Sequence, residues 1–101
     1  MANKQAKDTN VNIYKRVIGE TEYVAQFTGM SLKYEMADYA TDFKNGNQYL
    51  SAKKMATFLL EHIIVEPRLT LNDFQDSEEL DKVIEFARLV LEGKNPDTFL
   101  D

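Results

Sequence analysis

VNIYKRVIGETEYVAQFTG, residues 11–29, decides the fold class. Tyr14, Val17 and Ile18 have the spacing of one helix face. Read as extended chain, Val11, Ile13, Lys15 and Val17 share one side, and Tyr23, Ala25 and Phe27 share one side of the second half. Gly19 and Glu20 then fall where a tight turn belongs. The β-branched and aromatic content, with glycine in the middle, favours a β-hairpin of 11–18 paired with 22–28. A hairpin alone is not stable in water, so one of its faces must pack on something.

Downstream the apolar period changes from two to 3.6. In SLKYEMADYATDF (31–43), Leu32, Met36, Tyr39 and Phe43 recur at helical steps behind Ser31, a good N-cap residue. KNGN (44–47) has the composition of a turn. Next comes YLSAKKMATFLLEHIIVE (49–66), with Ser51 as cap. Ala52, Met55, Ala56, Leu59 and Ile63 form its core stripe, and Phe58, Leu60 and Ile64 widen the apolar surface. Pro67 stops it, because the residue before a proline is pushed out of helical geometry.

VEPRLTLNDF (65–74) reads as a structured joint. Thr70 and Asp73 stand at the spacing of a capping box, with Asp in place of Glu. Leu69 and Phe74 flank them at the spacing of a hydrophobic staple. The joint residues are therefore Pro67, Leu69, Thr70, Asp73 and Phe74. A second start, Asp76 with Glu79, opens the last helix. Its stripe is Leu80, Val83, Ile84, Ala87 and Leu91, with Phe86, Leu89 and Val90 on a neighbouring side. Gly93 suits the position after a helix end, and Asn95-Pro96 breaks any continuation.

The sequence thus predicts an α+β fold, mostly α: an N-terminal hairpin followed by three to four helices, near 31–43, 51–65 and 77–92. Residues 1–10 form a flexible arm, 11–94 one globular domain and 95–101 a short tail.

Composition excludes several function classes. The net charge of −5 and a pI of about 4.8 oppose binding to nucleic acid or an anionic membrane. There is no cysteine, hence no disulfide, thiolate nucleophile or cysteine-bound metal. No apolar run approaches the roughly 20 residues that span a bilayer. The polar N-terminus lacks the apolar core of a signal peptide, so we expect a cytoplasmic protein.

Candidate chemistry is sparse. The single histidine, His62, has no serine or second histidine at motif spacing, and a satisfied helix-surface histidine is the simpler reading. Asp73, Asp76, Glu78, Glu79 and Asp81 lack the alternating oxygens and central glycine of a calcium loop, and a helix dipole explains them. The scattered glycines make no phosphate cradle. Lys53 and Lys54 suit a solvated face. We expect no enzyme, cofactor or metal. What remains is surplus apolar helix surface, which points to an interface. The residues outside the main stripes, Phe58, Leu60, Phe86, Leu89 and Val90, are the candidate partner contacts.

Two stretches, NVNIYKRVIGETEYVAQF and FLLEHIIVEPRLTLNDF, followed by ELDKVIEFARLVLEGK, resemble the tail assembly chaperones of long-tailed, siphovirus-like bacteriophages of Gram-positive hosts. The resemblance covers about residues 10–94, and EHIIVEPRLTLNDF is its most distinctive part. It implies a non-enzymatic protein that binds the aggregation-prone tape-measure protein and keeps it soluble during tail-tube assembly. It also implies a host-cytoplasmic protein missing from the mature virion, with self-association and contact to tail-tube protein as further partnerships. A longer form made by frameshifting is common in such families. Two alternatives remain: a structural virion component such as a connector or head–tail joining protein, and a small DNA-binding regulator. Acidity and the lack of base-reading side chains on the helices count against the regulator.

Overall fold

The computed structural model describes residues 12–96. The arm expected over 1–10, Val11 of the first strand and residues 97–101 of the tail lie outside the described residues.

Residues 12–27 form the hairpin. Strand β1 (Asn12–Ile18) runs antiparallel to β2 (Thr21–Phe27), from Asn12 opposite Phe27 to Ile18 opposite Thr21. Gly19 opens the two-residue loop at φ +66°, a backbone region that glycine enters without steric cost. Cross-strand pairs Tyr14–Ala25 and Arg16–Tyr23 place these residues on one face with Ile18. That face is the packed one: Ile18, Tyr23 and Ala25 are buried, whereas Ile13 and Val17 point outward and are exposed.

The chain continues as helix α1 (Ser31–Ala40), then a second hairpin of β3 (Thr41–Lys44) and β4 (Asn47–Leu50). Helix α2 (Ala52–Phe58) widens into a π-helical turn over Leu59–Ile63. A short strand β5 (Ile64–Glu66) joins the free side of β2, giving a three-stranded sheet in the order β1-β2-β5. A 3-10 turn (Leu71–Asp73) leads to helix α3 (Ser77–Leu91). Its N-cap is Asp76, whose Oδ1 accepts the Glu78 N–H at 3.2 Å. Its far end closes with Gly93 at φ +76°, the Gly93 N–H on the Val90 carbonyl and the Lys94 N–H on the Leu89 carbonyl. This is the Schellman pattern.

Helix α3 crosses under the three-stranded sheet and against the π turn. Val83, Phe86, Ala87, Val90 and Leu91 meet Ile18, Tyr23 and Ala25 from the sheet and Phe58, Leu59, Leu60, Ile63 and Ile64 from the α2 side. The Arg16 guanidinium lies over the Phe86 ring at 5.9 Å.

The expectation of a mostly helical chain is overturned. The described residues are 48% helical and 29% strand, with five strands in two sheets and three helices. A turn and a long-range strand pairing account for the difference. The pair Asn45-Gly46 takes φ +54° and +80°, so KNGN is a hairpin turn and not a link between helices. Phe43 therefore belongs to β3, and α1 ends at Ala40. At the other boundary, Ile64 and Val65 leave helical geometry before Pro67, and the segment Ile64–Glu66 pairs with β2. Ser31 does not cap α1 either: it stands inside the first turn, and its hydroxyl donates to Glu35 at 2.8 Å. Ser51 does cap α2, accepting the Lys54 N–H at 3.2 Å.

Candidate functional site

Phe58, Leu60, Phe86, Leu89 and Val90 all lie in the folded interior, none more than 5% exposed. Phe58, Leu60, Phe86 and Val90 belong to the core between α3, the π turn and the sheet, and Leu89 is buried outside that cluster. A partner cannot reach them while the domain is folded. The residues assigned to the core stripes divide instead. On α3, Val83, Ala87 and Leu91 are buried, but Leu80 and Ile84 are only half-buried. In the π turn Leu59 and Ile63 are buried, but on α2 Met55 and Ala56 are half-buried and Ala52 is exposed.

The half-buried members meet in one groove of about 480 Å³, a volume typical of ligand clefts. Its floor is apolar: Met36 from α1, Leu50 from the end of β4, Met55 from α2, Leu59 from the π turn, Leu80 and Ile84 from α3. Helical geometry makes this possible. Leu80, Ile84 and Arg88 form an i, i+4 row on α3, one strip aside from the row facing the sheet. Unbranched methionine side chains give such a floor an adaptable shape.

The rim on α3 is charged, with Asp81, Glu85, Arg88 and Glu92. Arg88 is held on both sides, donating to Glu85 at 2.6 Å and Glu92 at 3.0 Å. These bonds raise its pKa, the Glu85 bond most of all. Burial pushes Glu92 upward, but bonds from Lys94 and Arg88 outweigh it and leave the carboxyl below its ordinary value. Asp81, Glu85 and Glu92 stand against Arg88 and the Lys94 bonded to Glu92, which leaves the rim acidic by one charge. An apolar trough with an acidic edge suits the apolar face of a helix flanked by lysine or arginine.

At the joint, Thr70 and Asp73 form a capping box. The Asp73 carboxylate accepts from the Thr70 N–H at 2.8 Å and from its hydroxyl at 3.2 Å. The turn they close is a short 3-10 segment separate from α3. Leu69 and Phe74 pack on the core, and Phe74 stacks on Tyr23 with ring centroids 6.5 Å apart. Pro67 follows a cis peptide after Glu66. Arg68 donates to the Glu61 carbonyl at 2.7 Å and so ties the joint to the π turn. Nearby, Tyr23 Oη donates to Glu79 at 2.8 Å. Burial, and then the Glu79 carboxylate, push the Tyr23 hydroxyl up to about 12.

His62 is half-exposed, its ring 4.3 Å from that of Phe58 and its Nε2 3.5 Å from the Glu61 carboxylate. Among the described residues, no group of three or more His, Asp or Glu is placed to hold a metal ion. No helix among them is long and apolar enough to cross a membrane.

A group of exposed apolar side chains lies outside every predicted contact. Tyr34, Tyr39, Phe43, Tyr49 and Leu50 surround α1 and the second hairpin, and Phe43 is 72% exposed. The Asn45-Gly46 pair was the signal that could have exposed it, since a hairpin there turns Phe43 away from any helix stripe.

No protein-family model, curated protein or solved structure matches the chain.

Proposed function

We propose that this protein is a tail assembly chaperone of a long-tailed bacteriophage or prophage. It binds helical segments of the tape-measure protein and holds them soluble in the host cytoplasm while the tail tube forms. The observation that carries this reading is the groove between α1, α2 and α3: an apolar floor with an acidic edge, open on a small acidic domain. The resemblance over residues 10–94 supports it independently of the groove. Binding here is physical, by burial of an amphipathic helix, and calls for no catalytic group, metal or cofactor. Individual contacts can be weak, because several copies along one long client add their strength.

Co-expression with the cognate tape-measure protein tests the proposal. Wild type should raise the soluble fraction of that client. Ile84→Asp or Met55→Asp, placed on the half-buried floor, should lose the effect while keeping the native circular dichroism spectrum. A client equally insoluble with and without this protein refutes the reading. Recovery of the protein as a fixed component of purified particles would favour a structural virion role.

A further inference from the structure

We propose that Asn45 is a self-modification site: it converts to isoaspartate with loss of ammonia, and the conversion unlocks the β3–β4 hairpin. The proposal goes beyond the client reading and does not depend on it.

The sequence supplies the reactive pair. Asparagine stands at positions 3, 10, 12, 45, 47, 72 and 95, and only Asn45 is followed by glycine. The reaction needs the backbone nitrogen of the next residue to reach the asparagine side chain. Glycine has no Cβ to shield that nitrogen. The space where a Cβ on Gly46 would sit is open: among the described residues, no heavy atom beyond its chain neighbours lies within 4 Å. Both residues of the turn are exposed, so water reaches them. Asn95 is the opposite case, because Pro96 has no N–H to give.

The reaction needs no reagent but water. Gly46 N attacks Asn45 Cγ. The new N–Cγ bond replaces the Cγ–Nδ2 bond, and the Gly46 N–H proton leaves with Nδ2 as ammonia. The product is a cyclic imide in which Gly46 N is bonded to both carbonyl carbons of residue 45. Water then opens it. Cleavage at Cγ gives aspartate. Cleavage at the main-chain carbonyl carbon gives isoaspartate, with the chain rerouted through Cγ. Nothing is oxidised or reduced.

The fold sets the pace. In the closed turn Asn45 and Gly46 are held at φ +54° and +80°, with Lys44 opposite Asn47. Bringing Gly46 N onto Cγ takes a backbone rotation at Asn45 that the closed ladder opposes, so the attack runs through an opened hairpin. Opening costs little, because no residue of β3 or β4 is buried. The ties to the rest of the domain stand at the base: Lys54 donates to Asp42 at 2.7 Å, and the Ser51 N–H to the Ala40 carbonyl at 2.8 Å. The tip parts while the base holds. Isoaspartate then keeps it open, since it adds a carbon to the main chain and the two-residue turn no longer fits. Leu50, opposite Thr41 in the ladder, lines the groove, so the change reaches the groove wall.

Peptide mapping of the full chain during storage, at neutral and mildly alkaline pH, tests the proposal. Asn45 should convert first of the chain's asparagines, with more isoaspartate than aspartate. The rate should rise with pH, because the attacking nitrogen gives up its proton. Asp42→Ala, which cuts a tie at the base, should speed the conversion. In the purified isoaspartate form, amide exchange should rise over residues 43–49 while α3 keeps its protection. Freshly prepared Asn45→Asp carries the same charge without the added carbon and should keep the hairpin protected. Conversion at Asn45 no faster than at Asn47, or only in urea-unfolded chain, would overturn the proposal. So would an Asp42→Ala rate equal to that of wild type, or an isoaspartate form as protected as Asn45→Asp.

Discussion

Truncating Phe86 separates a core residue from a contact residue. Phe86 is completely buried on α3, between the sheet and the π turn, with the Arg16 guanidinium 5.9 Å from its ring centre. Phe86→Ala leaves a void that the surrounding sheet and helix fill only in part, at a cost of about 3–5 kcal/mol. Loss of the cation–π contact belongs to the same change and is worth about 0.5–2 kcal/mol of it. A domain of this size has on the order of 5–15 kcal/mol in total. The variant should therefore lose a third or more of its stability and melt about 15 °C lower or further. Urea and thermal unfolding followed by circular dichroism give both numbers. Ile84→Ala is the control: its side chain is only half-buried on the groove floor, and its loss should cost about 1–2 kcal/mol. A Phe86→Ala cost under about 1 kcal/mol, with client binding abolished, would refute the assignment of Phe86 to the core and return α3's inner face to the surface.

Tyr23→Phe should cost about 1–2 kcal/mol by removing the hydrogen bond to Glu79. The folded state holds the Tyr23 proton up to about pH 12, whereas the unfolded chain releases it near 10. This contribution is therefore complete below pH 10 and is lost as pH rises through 12, with a slope of up to about 1.4 kcal/mol per pH unit that Tyr23→Phe should lack in urea melts. At the joint, Phe74→Ala should cost about 2 kcal/mol, because the ring is half-buried on Tyr23. Thr70→Ala should cost about 0.5 kcal/mol, since the Thr70 N–H keeps its bond to Asp73; equal shifts for the two variants would count against the staple. Gly46→Val forces a β-branched residue into φ +80° and should loosen the β3–β4 hairpin by about 1–2 kcal/mol. Hydrogen exchange should show that loss in residues 41–50 alone, with global stability unchanged, because no residue of β3 or β4 is buried.

How far the fold could be read in the sequence depended on whether the deciding forces were local. The first hairpin was legible because its turn glycine and its strand composition agree over a short span. The caps at Ser51 and Asp76 and the stop at Gly93 are also local: each is a side chain or a backbone angle acting within four residues. The last turn of the 51–65 segment was not legible. Ile64 leaves the helix because β2 offers it a partner at Ala25, nearly 40 residues earlier, and no local pattern records that. The second hairpin was legible in principle, but the four-three-four spacing of Leu32, Met36, Tyr39 and Phe43 imitates a helix stripe across the boundary at Ala40. Where a turn pair with its own backbone requirement and an apolar period disagree, the turn pair wins, since left-handed angles cost most residues more than one missed apolar contact gains.

The candidate site shows a further limit of periodicity. A stripe reports which residues on a helix are apolar, and α3 has apolar residues over more than half its circumference. Which arc faces the core is decided by the neighbour it meets. Here the sheet takes the arc of Val83, Phe86, Ala87 and Val90, which meets Ile18, Tyr23 and Ala25, with the Arg16 guanidinium over the Phe86 ring. Leu80 and Ile84 are then left on the side where α1 and α2 only partly close. Helix α1 cannot close that side, because it is short and ends at the second hairpin. The groove is thus the consequence of that hairpin: had residues 41–43 continued α1, Phe43 would lie one turn beyond Tyr39 on that helix. The residues that shorten the helix are the ones that leave the groove open.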